Sequence, residues 1–233
     1  MEIQELHMKN VKVVLIDIDD TLLDFDLCAD WSIQESAKQL KISLPENIFS
    51  VFWKINDSLW KELEKGNITN DALYIKRWDL TFEKLNIAYD GAAFDVVFRE
   101  NLSKSGMHVK NAEALLEYLS SKYDVYTASN GPFIQQTTRM KLANLDKYIK
   151  GYFISEAIGY SKPTKQFFDG CLNTLTNVSK ENCVMIGDSL SADMHGAHTY
   201  GMKCIWFNRV HETYESVIAD YVVEDLLDIK KIL

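Results

Sequence analysis

Val11-Lys12-Val13-Val14-Leu15-Ile16-Asp17-Ile18-Asp19-Asp20-Thr21 is an apolar run that stops abruptly in a cluster of carboxylates. Val and Ile dominate it, and no charge falls between Lys12 and Asp17. That pattern predicts a short strand buried on both faces of a parallel sheet. Asp17, Asp19 and Asp20 then arrive almost together. Carboxylates crowded at a buried strand end repel one another, so the arrangement asks for a bound cation or a shared proton.

The chain then turns helical. Residues 27–105 carry no strand pattern, and Ile48, Phe52, Ile55, Leu59 and Leu63 recur at the spacing of one apolar helix face. Asp30, Pro45 with Glu46, and Thr69-Asn70-Asp71 read as helix starts, while Gly66, Gly91 and Gly106 read as stops. The expectation is three or four helices in a small bundle over residues 25–105, with an interior rich in aromatics, since Trp31, Trp53, Trp60 and Trp78 all fall in this segment.

After Gly106 helices alternate with short apolar runs. Strands are expected at Tyr123–Ala128, Tyr152–Ile154, Cys183–Ile186, Cys204–Phe207 and Tyr221–Val223, with helices at Asn111–Lys122, Pro132–Asn144, Thr164–Leu175 and Ala192–Tyr200. Such alternation implies an α/β fold: a Rossmann-like parallel sheet core (residues 1–24 and 106–233) with an inserted helical domain (residues 25–105). Ligands of such sheets bind beyond the carboxyl ends of the strands.

Composition narrows the partners. With 25 Lys plus Arg against 34 Asp plus Glu, the formal net charge of −9 disfavours a nucleic acid polymer. Cys28, Cys171, Cys183 and Cys204 stand singly, without zinc spacing, as buried thiols of a reducing compartment do. Met1 to Asn10 is polar, and no uncharged run approaches the ~20 residues of a membrane span, so a cytoplasmic protein without a membrane partner is expected.

Four predicted strand ends finish in polar residues: Asp17 to Thr21, Ser129-Asn130-Gly131, the loop from Ser155 to Pro163 with Lys162, and Gly187 to Asp193. In a parallel sheet all four converge on one rim. Thr127 competes with Ser129 for the second position, and Ser129 is favoured because it abuts the Asn130-Gly131 turn. His7, His108, His195, His198 and His211 show no ligand spacing with the acids. Asp24 and Asp26 read as exposed loop residues.

In this order, Asp17-Ile18-Asp19-Asp20-Thr21, Ser129, Lys162 and Gly187-Asp188-Ser189-Leu190-Ser191-Ala192-Asp193 resemble the four motifs of the haloacid dehalogenase (HAD) superfamily of phosphohydrolases, over residues 11 to about 210. The resemblance implies that Asp17 is the nucleophile, forming an aspartyl-phosphate, and that Asp19 is general acid and then general base. It implies Mg²⁺ held by Asp17, the main-chain carbonyl of Asp19, and Asp188. Lys162 would hold Asp17 and the phosphoryl oxygens, Thr21, Ser129 and Asn130 would bind substrate, and Asp193 would orient Lys162 or a metal-bound water. Asp20 stands where many relatives have Gly.

The helical insertion resembles the mobile C1-type cap of these phosphatases, hinged near Asp24 to Leu27 and Ser103 to Val109. Together with Phe153-Ile154-Ser155-Glu156-Ala157-Ile158-Gly159-Tyr160-Ser161-Lys162-Pro163 it looks like the pyrimidine 5′-nucleotidase branch. The implied activity is Mg²⁺-dependent hydrolysis of a small phosphorylated metabolite, a nucleoside 5′-monophosphate, by a monomer or homodimer. The alternatives are a phosphatase or mutase for another small phosphometabolite, such as a phosphosugar or phosphoglycolate, and a non-catalytic ligand- or partner-binding regulator.

Overall fold

The computed structural model describes residues 8–213 and 218–233, so His7 lies outside the described residues. In chain order the helices and strands are β1 (Val13–Ile16), α1 (Phe25–Leu40), α2 (Ile48–Glu64), α3 (Asn70–Leu85), α4 (Gly91–Leu102), α5 (Ala112–Lys122), β2 (Asp124–Ser129), α6 (Phe133–Leu142), β3 (Gly151–Ile154), α7 (Ser155–Ile158), α8 (Lys165–Leu172), β4 (Cys183–Gly187), α9 (His195–Tyr200), β5 (Lys203–Phe207) and β6 (Tyr221–Val223). A π-helical turn, Leu190–Met194, leads into α9. The chain divides into two compact units, one made of the segment ending at Asp24 with His108–Leu233, the other of Phe25–Met107.

The first unit is an α/β Rossmann-like core whose strands are all parallel, in the order β3-β2-β1-β4-β5-β6. The opening apolar run explains itself here. Val14 and Ile16 pack with Leu115, Leu116 and Leu119 of α5, whereas Val13 and Leu15 pack with Phe167 and Phe168 of α8 and Ala197 of α9. Successive side chains of a strand point to opposite faces, so a strand covered on both sides must be apolar throughout. Each such burial is worth about 1.5–3 kcal/mol, which a charge in β1 would forfeit. Ile16 pairs with Thr127 on one side and Ile186 on the other, so Asp17 emerges between the ends of β2 and β4.

The second unit is helical, built from α1 to α4. Thr69 caps α3, its side chain accepting from the N–H of Ala72. The bundle's interior is rich in aromatics as expected, but mostly not in the tryptophans that suggested it. Trp78 is fully buried, stacked on Phe52 at 4.5 Å and flanked by Phe94 and Phe98 at 4.4 and 5.1 Å, but Trp31 and Trp53 are 37% and 41% exposed and Trp60 is half-buried. Phenylalanines fill the space instead. Asp30 starts no helix: α1 begins at Phe25, and Asp30 sits exposed in its middle, accepting from Gln34 at 3.4 Å. Gly91 opens α4 rather than ending α3, because a Cβ there would lie 2.5 Å from the backbone nitrogen of Asp79. Among the described residues, no helix is long and apolar enough to cross a membrane.

Candidate active site

The turn after β1 is tightly wound. Asp17 N–H donates to Ile186 O at 2.9 Å, the N–H groups of Leu22 and Leu23 both donate to Ile18 O at 2.8 Å, and Asp20 N–H donates to Leu23 O at 2.7 Å. Asp20 adopts φ 59°, a left-handed conformation that glycine enters freely and a short polar side chain tolerates. Arg209, in the loop after β5, pairs with it at 2.6 Å and also with Asp24. Asp24 is therefore only 8% exposed, where the sequence predicted a solvated loop residue, and Asp26 belongs to the first turn of α1.

Lys162 is buried and aimed at the end of β1. Its Nζ donates to Asp17 Oδ1 at 2.5 Å, to Ala128 O at 2.6 Å and to Asp193 Oδ1 at 2.7 Å, which accounts for all three ammonium hydrogens. Burial opposes the charge of Lys162, but Asp17 and Asp193 outweigh it and hold the ammonium protonated. Asn130 sets the lysine's backbone: its Oδ1 accepts from Lys162 N–H at 2.8 Å and its Nδ2 donates to Lys162 O at 3.0 Å. Asp193 is fully buried in the π-helical turn, where its Oδ2 accepts from Ser189 N–H at 3.1 Å.

Asp188 follows β4. Trp206 Nε1 donates to its main-chain carbonyl at 2.7 Å, and Thr21, itself fully buried, donates its hydroxyl to Asp188 Oδ1 at 3.2 Å. Burial, then the charges of Asp17, Asp20 and Asp193, push Asp188 well above the usual carboxylate range. Burial also pushes Asp17 up to about 8, against the pull of Lys162 and with the help of Asp193. Carboxylate oxygens of Asp17, Asp188 and Asp193 all lie within 4.8 Å of one another. Once ionised, three acids against one ammonium would leave a negative excess, and their hard oxygens suit a cation such as Mg²⁺. Both oxygens of Asp193 are engaged by Lys162 and Ser189, so Asp17 and Asp188 are the two acids of the group better placed to hold a cation.

Asp19 faces the other way, toward α6. Its Oδ1 accepts from Arg139 Nη1 and its Oδ2 from Gln136 Nε2, both at 2.6 Å, and Gln136 Nε2 also reaches Ser129 Oγ at 2.8 Å. Thr127, the competitor of Ser129, is buried within β2, its hydroxyl without a partner among the described residues. His195 and His198 lie exposed on α9. Sequence reasoning missed Gln136, Arg139 and Arg209. For the first two a signal existed: Gln136 shares the helical stripe of Phe133 and Met140, and Arg139 adjoins it, so polar residues occupy an apolar face.

A model of the haloacid dehalogenase-like hydrolase family matches residues 11–201. The chain belongs to this family. Among curated relatives, the pyrimidine 5′-nucleotidase PynA of Streptococcus pneumoniae is 32% identical over 93% of this chain and 94% of its own length. A glyceraldehyde 3-phosphate phosphatase of Pyrococcus furiosus is 26% identical over 97% of this chain and 94% of its own. The magnesium-bound crystal structure of the HAD-hydrolase YfnB of Bacillus subtilis matches with a TM-score of 0.89 at 27% identity, covering 95% of this chain and 97% of YfnB.

Proposed function

We propose that this chain is a Mg²⁺-dependent phosphomonoester hydrolase that works through an aspartyl-phosphate on Asp17, with nucleoside 5′-monophosphates as its substrates. The observation that carries the proposal is the Lys162 bridge. One buried ammonium fixes an oxygen of Asp17 and an oxygen of Asp193, so the Asp17 carboxylate is held with its second oxygen available as nucleophile.

That oxygen attacks phosphorus, the ester P–O bond breaks, and Asp19 gives a proton to the departing alcohol. Asp19 then takes a proton from the water that cleaves the aspartyl-phosphate. Asp17, Asp188 and the main-chain carbonyl of Asp19 would hold a Mg²⁺, which would supply the positive charge that lets one anion approach another. Lys162 acts by charge through Asp17, since its hydrogens are already placed. Ser129 donates its hydroxyl to a phosphoryl oxygen. The side chains of Thr21 and Asn130 are occupied by Asp188 and Lys162, so substrate contacts at these two residues are assigned to their backbone. Phe25–Met107 is read as the cap, the module that selects which phosphomonoester is taken.

The nucleotide assignment is supported by the 32% identity to PynA across nearly the whole chain. A second reading, a phosphatase for another small phosphometabolite, is favoured by the similarity to the Pyrococcus enzyme. Phosphate release from a panel of phosphomonoesters decides between them. The expected outcome is hydrolysis of uridine and cytidine 5′-monophosphate with Mg²⁺, abolished by EDTA and by Asp17→Asn. Faster turnover of a triose phosphate or phosphoglycolate would put the second reading first. An isomerised phosphosugar would indicate a mutase, and tight ligand binding without any hydrolysis would indicate a regulator.

A further inference from the structure

Asp19 is the group that the proposed reaction asks to move protons, and a single helix holds both of its oxygens. Arg139 Nη1 donates to Oδ1 and Gln136 Nε2 to Oδ2, each at 2.6 Å, while Arg139 Nη1 also donates to Gln136 Oε1 at 3.0 Å. The two α6 side chains thus brace each other. Both are 0% exposed, whereas the Asp19 side chain is 31% exposed, so the holder is inside and the held carboxylate faces out.

The backbone is arranged around this grip. A Cβ at Gly131 would lie 2.6 Å from Gln136 Nε2 and 2.8 Å from its Cδ, so the glycine of Ser129-Asn130-Gly131 leaves room for the glutamine. The second hydrogen of Gln136 Nε2 goes to Ser129 Oγ at 2.8 Å, and Gly131 N–H donates to the same oxygen at 3.3 Å. A hydroxyl that accepts twice keeps one hydrogen to give. Ser129 is thereby set as a donor. A buried guanidinium adds little net stability over an apolar side chain of the same volume, so stability does not account for Arg139. What the guanidinium does supply is a carboxylate fixed in direction.

We propose that Gln136 and Arg139 are positioning residues, aiming Asp19 at the leaving-group oxygen and Ser129 at the phosphoryl group. This rests on the hydrolase reading above. Arg139→Met should misdirect Asp19 and so affect only those esters whose leaving group needs a proton.

The test compares kcat/KM for a nucleoside 5′-monophosphate, whose alkoxide leaves with a proton, and for p-nitrophenyl phosphate, whose phenolate leaves without one. This ratio reports steps up to departure of the alcohol. In Arg139→Met the nucleotide value should fall about 100-fold, the size of a lost general acid, and the aryl value by less than about threefold. Arg139→Lys, which keeps the charge, should recover part of the loss. Asp19→Asn combined with Arg139→Met should be no slower on the nucleotide than Asp19→Asn alone. Gln136→Met, which also releases Ser129, should raise KM for both esters.

Equal losses on both esters in folded Arg139→Met, or losses that multiply in the double variant, would overturn the inference and leave the hydrolase reading standing. If Arg139→Met does not fold, the same ratio in Arg139→Lys decides. Absence of hydrolysis of either ester by the unaltered chain would overturn the hydrolase reading and this inference with it.

Discussion

Gly187 and Asp193 share one volume: a Cβ on the glycine at the end of β4 would overlap the Asp193 carboxylate. From that position Asp193 accepts from Lys162 at 2.7 Å and from Ser189 N–H at 3.1 Å. Gly187→Ala should push Asp193 aside and loosen Lys162 from Asp17. We expect a destabilisation of about 1–3 kcal/mol, typical of overpacking, and a drop in phosphate release of at least about tenfold. Urea unfolding and a phosphate assay measure both. A variant unchanged in each would show that Asp193 has room to spare.

Asn130 clasps the main chain of Lys162 through two hydrogen bonds. Asn130→Ala should lower stability by about 1–3 kcal/mol and reduce kcat far more than it raises KM, since it frees the lysine rather than a substrate contact. Asn130→Asp keeps the acceptor but sets a charge against Lys162 O, and should not restore activity. A pure KM effect in steady-state kinetics would argue against the clasp.

Burial raises Asp17 to about 8 from an ordinary 3.8. Between those values the folded, metal-free chain binds a proton that the unfolded chain does not, so its stability falls as pH rises from about 4 to about 8. Asp188, raised by burial and neighbouring carboxylates, acts in the same direction. On the proposed reading, Mg²⁺ would compete with those protons for Asp17 and Asp188. Added Mg²⁺ should therefore raise the melting temperature little at pH 5 and clearly at pH 8. Thermal melts with Mg²⁺ or EDTA across that range check it, and a gain independent of pH would contradict it.

In the helical unit Arg77 and Asp95 form a buried pair, with Arg77 Nη2 2.7 Å from Asp95 Oδ1 and Arg99 Nε 2.6 Å from Asp95 Oδ2. Arg77→Met leaves a buried carboxylate with one partly exposed partner, and should destabilise by about 3–5 kcal/mol. Adding Asp95→Leu removes the stranded charge and should recover most of that. Chemical denaturation of the two variants tests the difference.

The sheet could be read from the sequence because strands covered on both faces are apolar without interruption, as Val13 to Ile16 are, and because parallel strands bring Asp17, Ser129 and Asp188 to one edge. What could not be read was decided by packing between segments far apart in the chain. Nothing near Asp24 announces Arg209, and although Arg139 beside the apolar stripe of α6 hints at burial, nothing in the sequence pairs it with Asp19. Gly91 looks like a helix stop because glycine usually is one, yet here it answers to the backbone of Asp79 across the bundle. A tryptophan count does not tell which indole goes inside. Trp78 did, and Trp53, on the neighbouring helix, did not.

The pairing of β1 also bears on how the molecule is made. Val13 pairs with Asp124 and Cys183, both synthesised only after the entire helical unit. The strand that leads into Asp17 is therefore made before both of its sheet neighbours, while α1 to α4 have their partners close at hand within Phe25–Met107. Local contacts form faster than distant ones, so the bundle is expected to assemble before the sheet closes around β1. Until β2 and β4 follow, both apolar faces of β1 and both of its hydrogen-bonding edges lack the neighbours they have in the sheet.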